Sequence, residues 1–422
     1  MRNRSQRPFV MLIAVVLVVT IQFARAQGIA ERAPSPPATA TSQDAIAQLI
    51  QELASTRLTL NGTDQEILRT VLRALHVPVE SQTLVFSKTS LEARLIHPAN
   101  PRALFFSDDI YVGWVPGGLV EAAVMVPGRG PVFYSMDPAD AREGRRSFVR
   151  ERSCLRCHSG SKTGDGPELL ALSVLTGAGG ERLSQPGADS VGDATPFGIR
   201  WGGWYVTGYA GSEAHRGNAF GLKRGDAIEF HPTDKRPTDL SGYFDTARYL
   251  TPTSDVVALC VLAHQVAMHN CLTRAARTFQ HLTVDLNDEG TKAALAKAVE
   301  DVLDHLLFRE AAPLPAGVAG SDAFNRAFAA GAKRDGQGNS LRDLSLHGQL
   351  FANRCSFLIY SDGFTTLPAP LKSRVLDCLF SALRDEGAPR YAYLPQAERR
   401  RIFEILCDTL PDAQRFAIQG RH

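Results

Sequence analysis

Cys154-Leu155-Arg156-Cys157-His158 sets two thiols three positions apart with a histidine directly after the second. These are the requirements of covalent haem attachment. Each sulfur can add across one porphyrin vinyl group, and the two-residue gap lets both reach the same porphyrin edge. The next side chain can then bring its imidazole to the iron. Cys154 and Cys157 are therefore expected as the thioether tethers of one haem c, with His158 as the axial ligand. From the chain's own Cys and His fractions, such a pentapeptide arises by chance roughly three times in a thousand sequences of this length. Two other chemistries use paired thiols. A redox dithiol sits at the strand-to-helix turn of a βαβ unit, and no such pattern surrounds this one. A zinc site needs two more ligands, and no second cysteine pair at short spacing supplies them.

Iron held by His158 has one further axial position, and its occupant tunes the potential. Methionine favours a high-potential carrier and histidine a lower one, while an open site admits small ligands or peroxide. His215 leads the candidates, in the loop Gly211-Ser212-Glu213-Ala214-His215-Arg216-Gly217-Asn218, because loops carry functional residues disproportionately. His264, Met268 and His269 follow in the run from His264 to Asn270, with Met136 and His231 behind them. On a helix His264 and Met268 stand about 40° apart, but His264 and His269 about 140°. The two histidines therefore do not grip one metal, and no His-Glu-x-x-His zinc motif is present. Trp201, Trp204 and Tyr205, beside Arg200 and several glycines, suit either a porphyrin wall or an ordinary aromatic core.

Arg2, Arg4 and Arg7 precede an apolar run from Phe9 to Ile21, and Ala24-Arg25-Ala26 offers a small-x-small cleavage site. This predicts a Sec-type signal over residues 1–26 and a periplasmic or secreted protein. The run falls short of the roughly 20 residues of a membrane span, so membrane attachment is expected only if the signal stays uncleaved. Removing the segment takes away four arginines and leaves 42 basic against 44 acidic residues. Such a balance gives no electrostatic case for nucleic acid, though a local patch can still dock a charged redox partner. Outside the motif lie Cys260, Cys271, Cys355, Cys378 and Cys407. An odd number leaves one thiol unpaired. Cys260 and Cys271 on one helix lie about 16 Å apart, too far to bond, whereas Cys378 and Cys407 are a possible pair.

The elements that must position this chemistry follow from pattern. Residues 27–42 contain Ala33-Pro34-Ser35-Pro36-Pro37 and read as a flexible leader. Helical periodicity begins at Gln43, and a second helix follows Thr63 as N-cap. Short β-branched and aromatic runs between residues 83 and 136, punctuated by Gly and Pro, predict an antiparallel meander. A short helix is expected over 145–152, and a long irregular stretch over 159–200. Beyond Pro252 helices are expected from Ser254–Asp255 to about Phe279 and over 292–308, 322–330, 341–352, 370–384 and 396–410. The fold class is α+β: N-terminal helices, meander and haem segment within 43–250, and a helical region over 251–422 packing on it.

Seven separated blocks stand in one order. They are Arg102–Val115, the haem motif, Arg200–Gly208, His215–Asn218, Tyr249–Pro252, His264–Asn270 and Arg354–Ser361. Together, over about residues 84–411, they resemble a family of exported bacterial proteins labelled only as cytochrome c domain-containing. The resemblance implies a single c-type haem on Cys154, Cys157 and His158. Ala214 and Ala263 depart from the Arg and Glu that the resemblance leads one to expect at those places. The expected activity is single-electron transfer with a redox partner protein or a small-molecule donor or acceptor. The alternatives are a peroxidase-like or other oxidoreductase with an open iron face, and a haem-based sensor. Carbon monoxide binding and the oxidised spin state separate them.

Overall fold

The structure is a computed structural model that describes residues 45–145, 147–160, 166–183, 189–225, 227–232, 236–281, 288–384 and 389–419. The predicted signal, leader and first residues of the opening helix lie outside these. The described residues form one compact unit, and it is α+β.

Helices α1 (Ala45–Ala54) and α2 (Asp64–Ala74) open it. Thr63 caps α2 through a capping box with Glu66. Strands β1 (Thr83–Val85), β2 (Arg102–Phe106), β3 (Ile110–Trp114), β4 (Val120–Val126) and β5 (Gly130–Met136) form the meander. After the short helix α3 (Pro138–Arg142) comes β6 (Val149–Arg150), then α4 (Leu155–His158), which carries Cys157 and His158 of the Cys-x-x-Cys-His motif. The pair β7 (Leu172–Ser173) and β8 (Asp189–Ser190), then β9 (Trp204–Tyr205) and the hairpin β10 (Gly221–Arg224) and β11 (Ala227–Phe230), complete the strands. The sheet runs β6-β5-β4-β3-β2-β1-β9, all antiparallel.

The period-two alternation of the meander gives the sheet two faces. Leu84, Phe105, Val112, Val124 and Tyr134 bury against α1 and α2. Phe106, Tyr111, Ala123 and Phe133 point the other way, into a core built on α5 (Val256–His281). That helix is long and apolar enough to cross a membrane, yet 94% of its apolar window is buried inside the fold. Each large apolar side chain buried there contributes roughly 1.5–3 kcal/mol, so α5 is the axle of the helical half. Around it lie α6 (Glu289–Leu306), α7 (Asp322–Ala330), α8 (Asp362–Thr365), α9 (Ala369–Arg384), α10 (Gln396–Thr409) and α11 (Gln414–Gln419).

Three local expectations are corrected. The described residues of 145–152 hold no helix: Val149 and Arg150 pair with Ser135 and Tyr134 as an edge strand, because the open side of β5 offers ladder partners. Residues 341–352 are irregular. Asp343 accepts the Ser340 N–H at 2.7 Å while Leu344 bridges Phe351, which closes a loop where the apolar spacing suggested a helix. Ser254 does not cap α5. Asp255 does, accepting from Val257 and Ala258, while the Ser254 hydroxyl takes the Leu84 N–H and donates to the Tyr205 carbonyl. All seven cysteines are free thiols, Cys378 and Cys407 included.

Candidate functional site

The Cys-x-x-Cys-His motif follows the terminal strand β6 and packs on the α5-facing side of the sheet. Cys154 is half-buried against that core, Cys157 is exposed, and the His158 ring lies 4.7 Å from that of Phe133. His158 Nδ1 is 2.8 Å from the Glu168 carbonyl oxygen. A carbonyl accepts only from an N–H, so this bond fixes the tautomer with the proton on Nδ1 and the lone pair on Nε2. Burial holds the imidazole below its ordinary pKa, against the pull of the Glu168 carbonyl and with help from the Arg102 guanidinium. A neutral imidazole with one nitrogen anchored and the other free is what an iron ligand needs.

Glu168 is itself held from α5. Its carboxylate takes both oxygens to Arg274 at 3.0 Å, with Arg277 at 3.4 Å. Asn270 grips the next residue from both sides, accepting the Leu169 N–H and donating to the Leu169 carbonyl, each at 2.9 Å. Gly130 at the start of β5 makes room for the same segment. Its φ is +84°, and a Cβ there would stand 2.5 Å from the Pro167 carbonyl oxygen. Gly130→Ala is expected to cost at least about 1–2 kcal/mol for the left-handed backbone alone. A denaturant midpoint unchanged from wild type would contradict this packing.

The two remaining thiol chemistries fit less well. Burial, followed by Glu121 and Glu151, pushes the Cys154 thiol up to about 11, whereas a reactive dithiol has a depressed one. Among the described residues no group of three His, Cys, Asp or Glu is arranged to hold a metal ion. The donor set does fit haem, since an axial imidazole needs no second protein ligand. Buried Arg102 Nε lacks an acceptor, although the same side chain pairs with Glu121 at 2.6 Å. Arg102 acts on both Cys154 and His158, and its orphaned N–H suits a porphyrin carboxylate.

The other expected pocket residues lie elsewhere. Trp201 packs edge-on against Phe197 and His215, and Trp204 Nε1 donates to the Leu172 carbonyl. Tyr205 belongs to the opposite core, its hydroxyl on the Pro98 carbonyl. Met136 lies on β5 with Phe133 but is buried in the core on the α1 and α2 side, and exposed His231 pairs with Glu229. His215, His264 and His269 bond to groups other than those that hold His158. His215, beside Trp201, accepts the Gly217 N–H at 3.0 Å. It lies next to β9, five strand spacings from β5, or about 24 Å along the sheet. His264 uses both nitrogens, Nδ1 on Asp193 and Nε2 on Ser356, each at 2.8 Å. Met268 is fully buried one turn further along the same stripe of α5. His269 Nε2 donates to the Asp108 carbonyl at 2.7 Å. Each is committed to packing.

Burial pushes the His215 and His269 imidazoles down to about 4, from an ordinary 6.5. Both are thus favoured neutral in the folded state. Stability from them is complete above about pH 6.5 and is lost as pH falls toward 4, by up to about 1.4 kcal/mol per unit for each. Asp109 opposes this. Burial, then Asp108 and Asp362, raise its carboxyl to about 7, so the folded state gains from its protonation over the same window. Its side chain is 32% exposed, so solvent screening weakens that gain. Through these two imidazoles acidification toward pH 4 costs the folded state stability, and His269→Gln should remove the share of His269. A denaturation midpoint level from neutrality to about pH 4.5 would count against this account.

A cleft of about 690 Å³ opens between α5, α6 and residues 190–195, lined among others by Glu168, Asp193, Asn270, Arg274, Asp304 and Phe308. Cys154, Cys157 and His158 do not line it; it adjoins the motif only through Glu168. The sequence reading missed Glu168, Asn270 and Arg102 as supports. The one usable signal was Asn270, which closes the run of polar residues on α5. No family model matches this chain, and no curated protein or solved structure matches it.

Proposed function

We propose that the protein is an exported monohaem c-type cytochrome, periplasmic or secreted, that passes single electrons to a redox partner. Cys154 and Cys157 would carry the porphyrin and His158 would ligate its iron; the bound group supplies reversible one-electron chemistry. The observation that carries the reading is the Nδ1 bond from His158 to the Glu168 carbonyl, which leaves Nε2 as the metal-directed nitrogen. The chain's own residues supply orientation and setting. Glu168 fixes the imidazole plane, Phe133 backs it, and Arg102 with Glu121 places a charge pair beside it.

A second reading, an oxidoreductase or sensor with an open iron face, is favoured by one observation. His215, His264 and His269 have their hydrogen-bond partners elsewhere, and Met268 is buried in the core. The test is the spectrum of protein purified from a host with working cytochrome maturation. A pigment retained in acidic acetone supports covalent haem, and colourless protein refutes it. Low-spin oxidised haem indifferent to carbon monoxide in the reduced state supports the carrier. A high-spin spectrum that shifts with cyanide or peroxide supports the second reading.

A further inference from the structure

We propose that the cleft between α5, α6 and residues 190–195 binds a small protonated primary amine with an apolar tail. At about 690 Å³ its volume lies within the roughly 300–1,000 Å³ typical of small-molecule sites. Cys154, Cys157 and His158 do not line it, so its occupant is independent of any haem. The sign of that occupant follows from which charges of the wall are already matched. Every Lys and Arg of the wall has a carboxylate. Arg274 pairs with Glu168, Lys297 with Asp301, Arg309 with Asp304, and Arg390 with Asp304 and Glu300. None is left unmatched for an anionic ligand.

Asp193 differs. Its Oδ2 takes the His264 Nδ1–H at 2.8 Å, while Oδ1 has no hydrogen-bond partner among the described residues. Arg200 and His305 both act on its charge, but Arg200 gives its N–H groups to the Thr195 and Asp193 backbone carbonyls. His305 supplies a second acceptor. Its Nδ1 donates to the Asp301 carbonyl at 2.9 Å, which leaves the lone pair on Nε2, and Nε2 has no partner among the described residues. A carboxylate oxygen and an imidazole lone pair in one cleft suit a positive group with several N–H donors, which an ammonium is. A metal ion needs a third ligand, and no such set of His, Cys, Asp or Glu exists among the described residues. Val191, Val266, Ala267 and Phe308 line the cleft as well. They favour a hydrocarbon or aromatic tail, and the Phe308 ring adds its own attraction for a cation.

Calorimetric titration of the purified full chain with benzylamine tests this, with benzyl alcohol and benzoate as probes of like shape. Benzylamine is expected to bind at one site at neutral pH, and the alcohol and the carboxylate about tenfold or more weaker. Asp193→Asn keeps an acceptor for His264 but removes the charge, and should lose about tenfold or more in amine affinity. His305→Leu removes the second acceptor without touching the bonds of His264. It carries the test where Asp193→Asn does not fold, and should weaken the amine several-fold, by roughly one hydrogen bond. No amine binding, alcohol or benzoate binding as tight as the amine's, or amine affinity unchanged in either folded variant overturns the site. The heat of binding does not pass through haem. Pigmented and colourless protein therefore serve alike, and the result leaves the cytochrome reading where its own spectra put it.

Discussion

Replacing Cys154 and Cys157 together by alanine is expected to abolish covalent haem while leaving the polypeptide folded. Neither thiol contributes a bond that the fold needs: both are free, Cys157 is exposed, and Cys154 only touches the edge of the core. A half-buried Cys→Ala removes little apolar area, so the stability cost should stay near 1 kcal/mol or less. The effect on chemistry should be all or none, since with both tethers gone haem can only be held non-covalently and acidic acetone extracts it. Each single variant should retain one thioether and show a red-shifted haemochrome band. His158→Ala should keep the tethers but lose the axial imidazole, giving pigmented protein of altered spin state. Pigment that survives acid extraction from the double variant would show that attachment occurs elsewhere, and the assignment would fall. The same series separates haem from a dithiol, because a dithiol would lose thiol–disulfide activity and carry no pigment in any form.

Asn270→Ala should give the next largest response, at a residue that touches neither thiol. Its amide satisfies both backbone groups of Leu169, and Leu169 follows the residue whose carbonyl holds His158. Removing the amide leaves an N–H and a C=O without their partner, at about 1–3 kcal/mol. The cleft beside Asn270 lets water recover part of that. The larger interest lies at the imidazole. A donor bond from Nδ1 raises the basicity of the ligand and favours oxidised iron. Loosening a bond worth about 0.5–1.5 kcal/mol should therefore raise the one-electron potential, by at most about 65 mV if the bond acts only in the oxidised state. Redox titration of haem-loaded wild type and Asn270→Ala reads this directly. A merely structural role would lower stability and leave the potential in place, and a fall in potential would reverse the argument. Asn270→Asp keeps one acceptor for the Leu169 N–H, so part of the stability should return.

Much of the scaffold was legible because it depends on neighbours a few positions apart. The meander could be read from alternating branched and aromatic residues between glycine-rich turns, and five strands form at those places. Thr63 announced the start of α2, and Ser321 caps α7 at the expected boundary. The failures came where a distant partner outweighed local preference. Val149 and Arg150 became a strand because β5 had an open edge, and residues 341–352 lost helical form to side-chain bonds closing a loop.

The pentapeptide by itself determined the candidate chemistry, since two sulfurs and an imidazole at that spacing are a local property of the chain. Which nitrogen of His158 is free was decided only by the tertiary fold. The carbonyl that fixes it lies ten positions away, across residues with no regular pattern, and is seated by an α5 side chain 101 positions from the backbone it grips. The fate of His215, His264, Met268 and His269 was equally hidden. A histidine's role depends on what its two nitrogens meet, and those partners, from Asp193 to Ser356, are brought together by burial of the helix that carries them rather than by spacing along the chain.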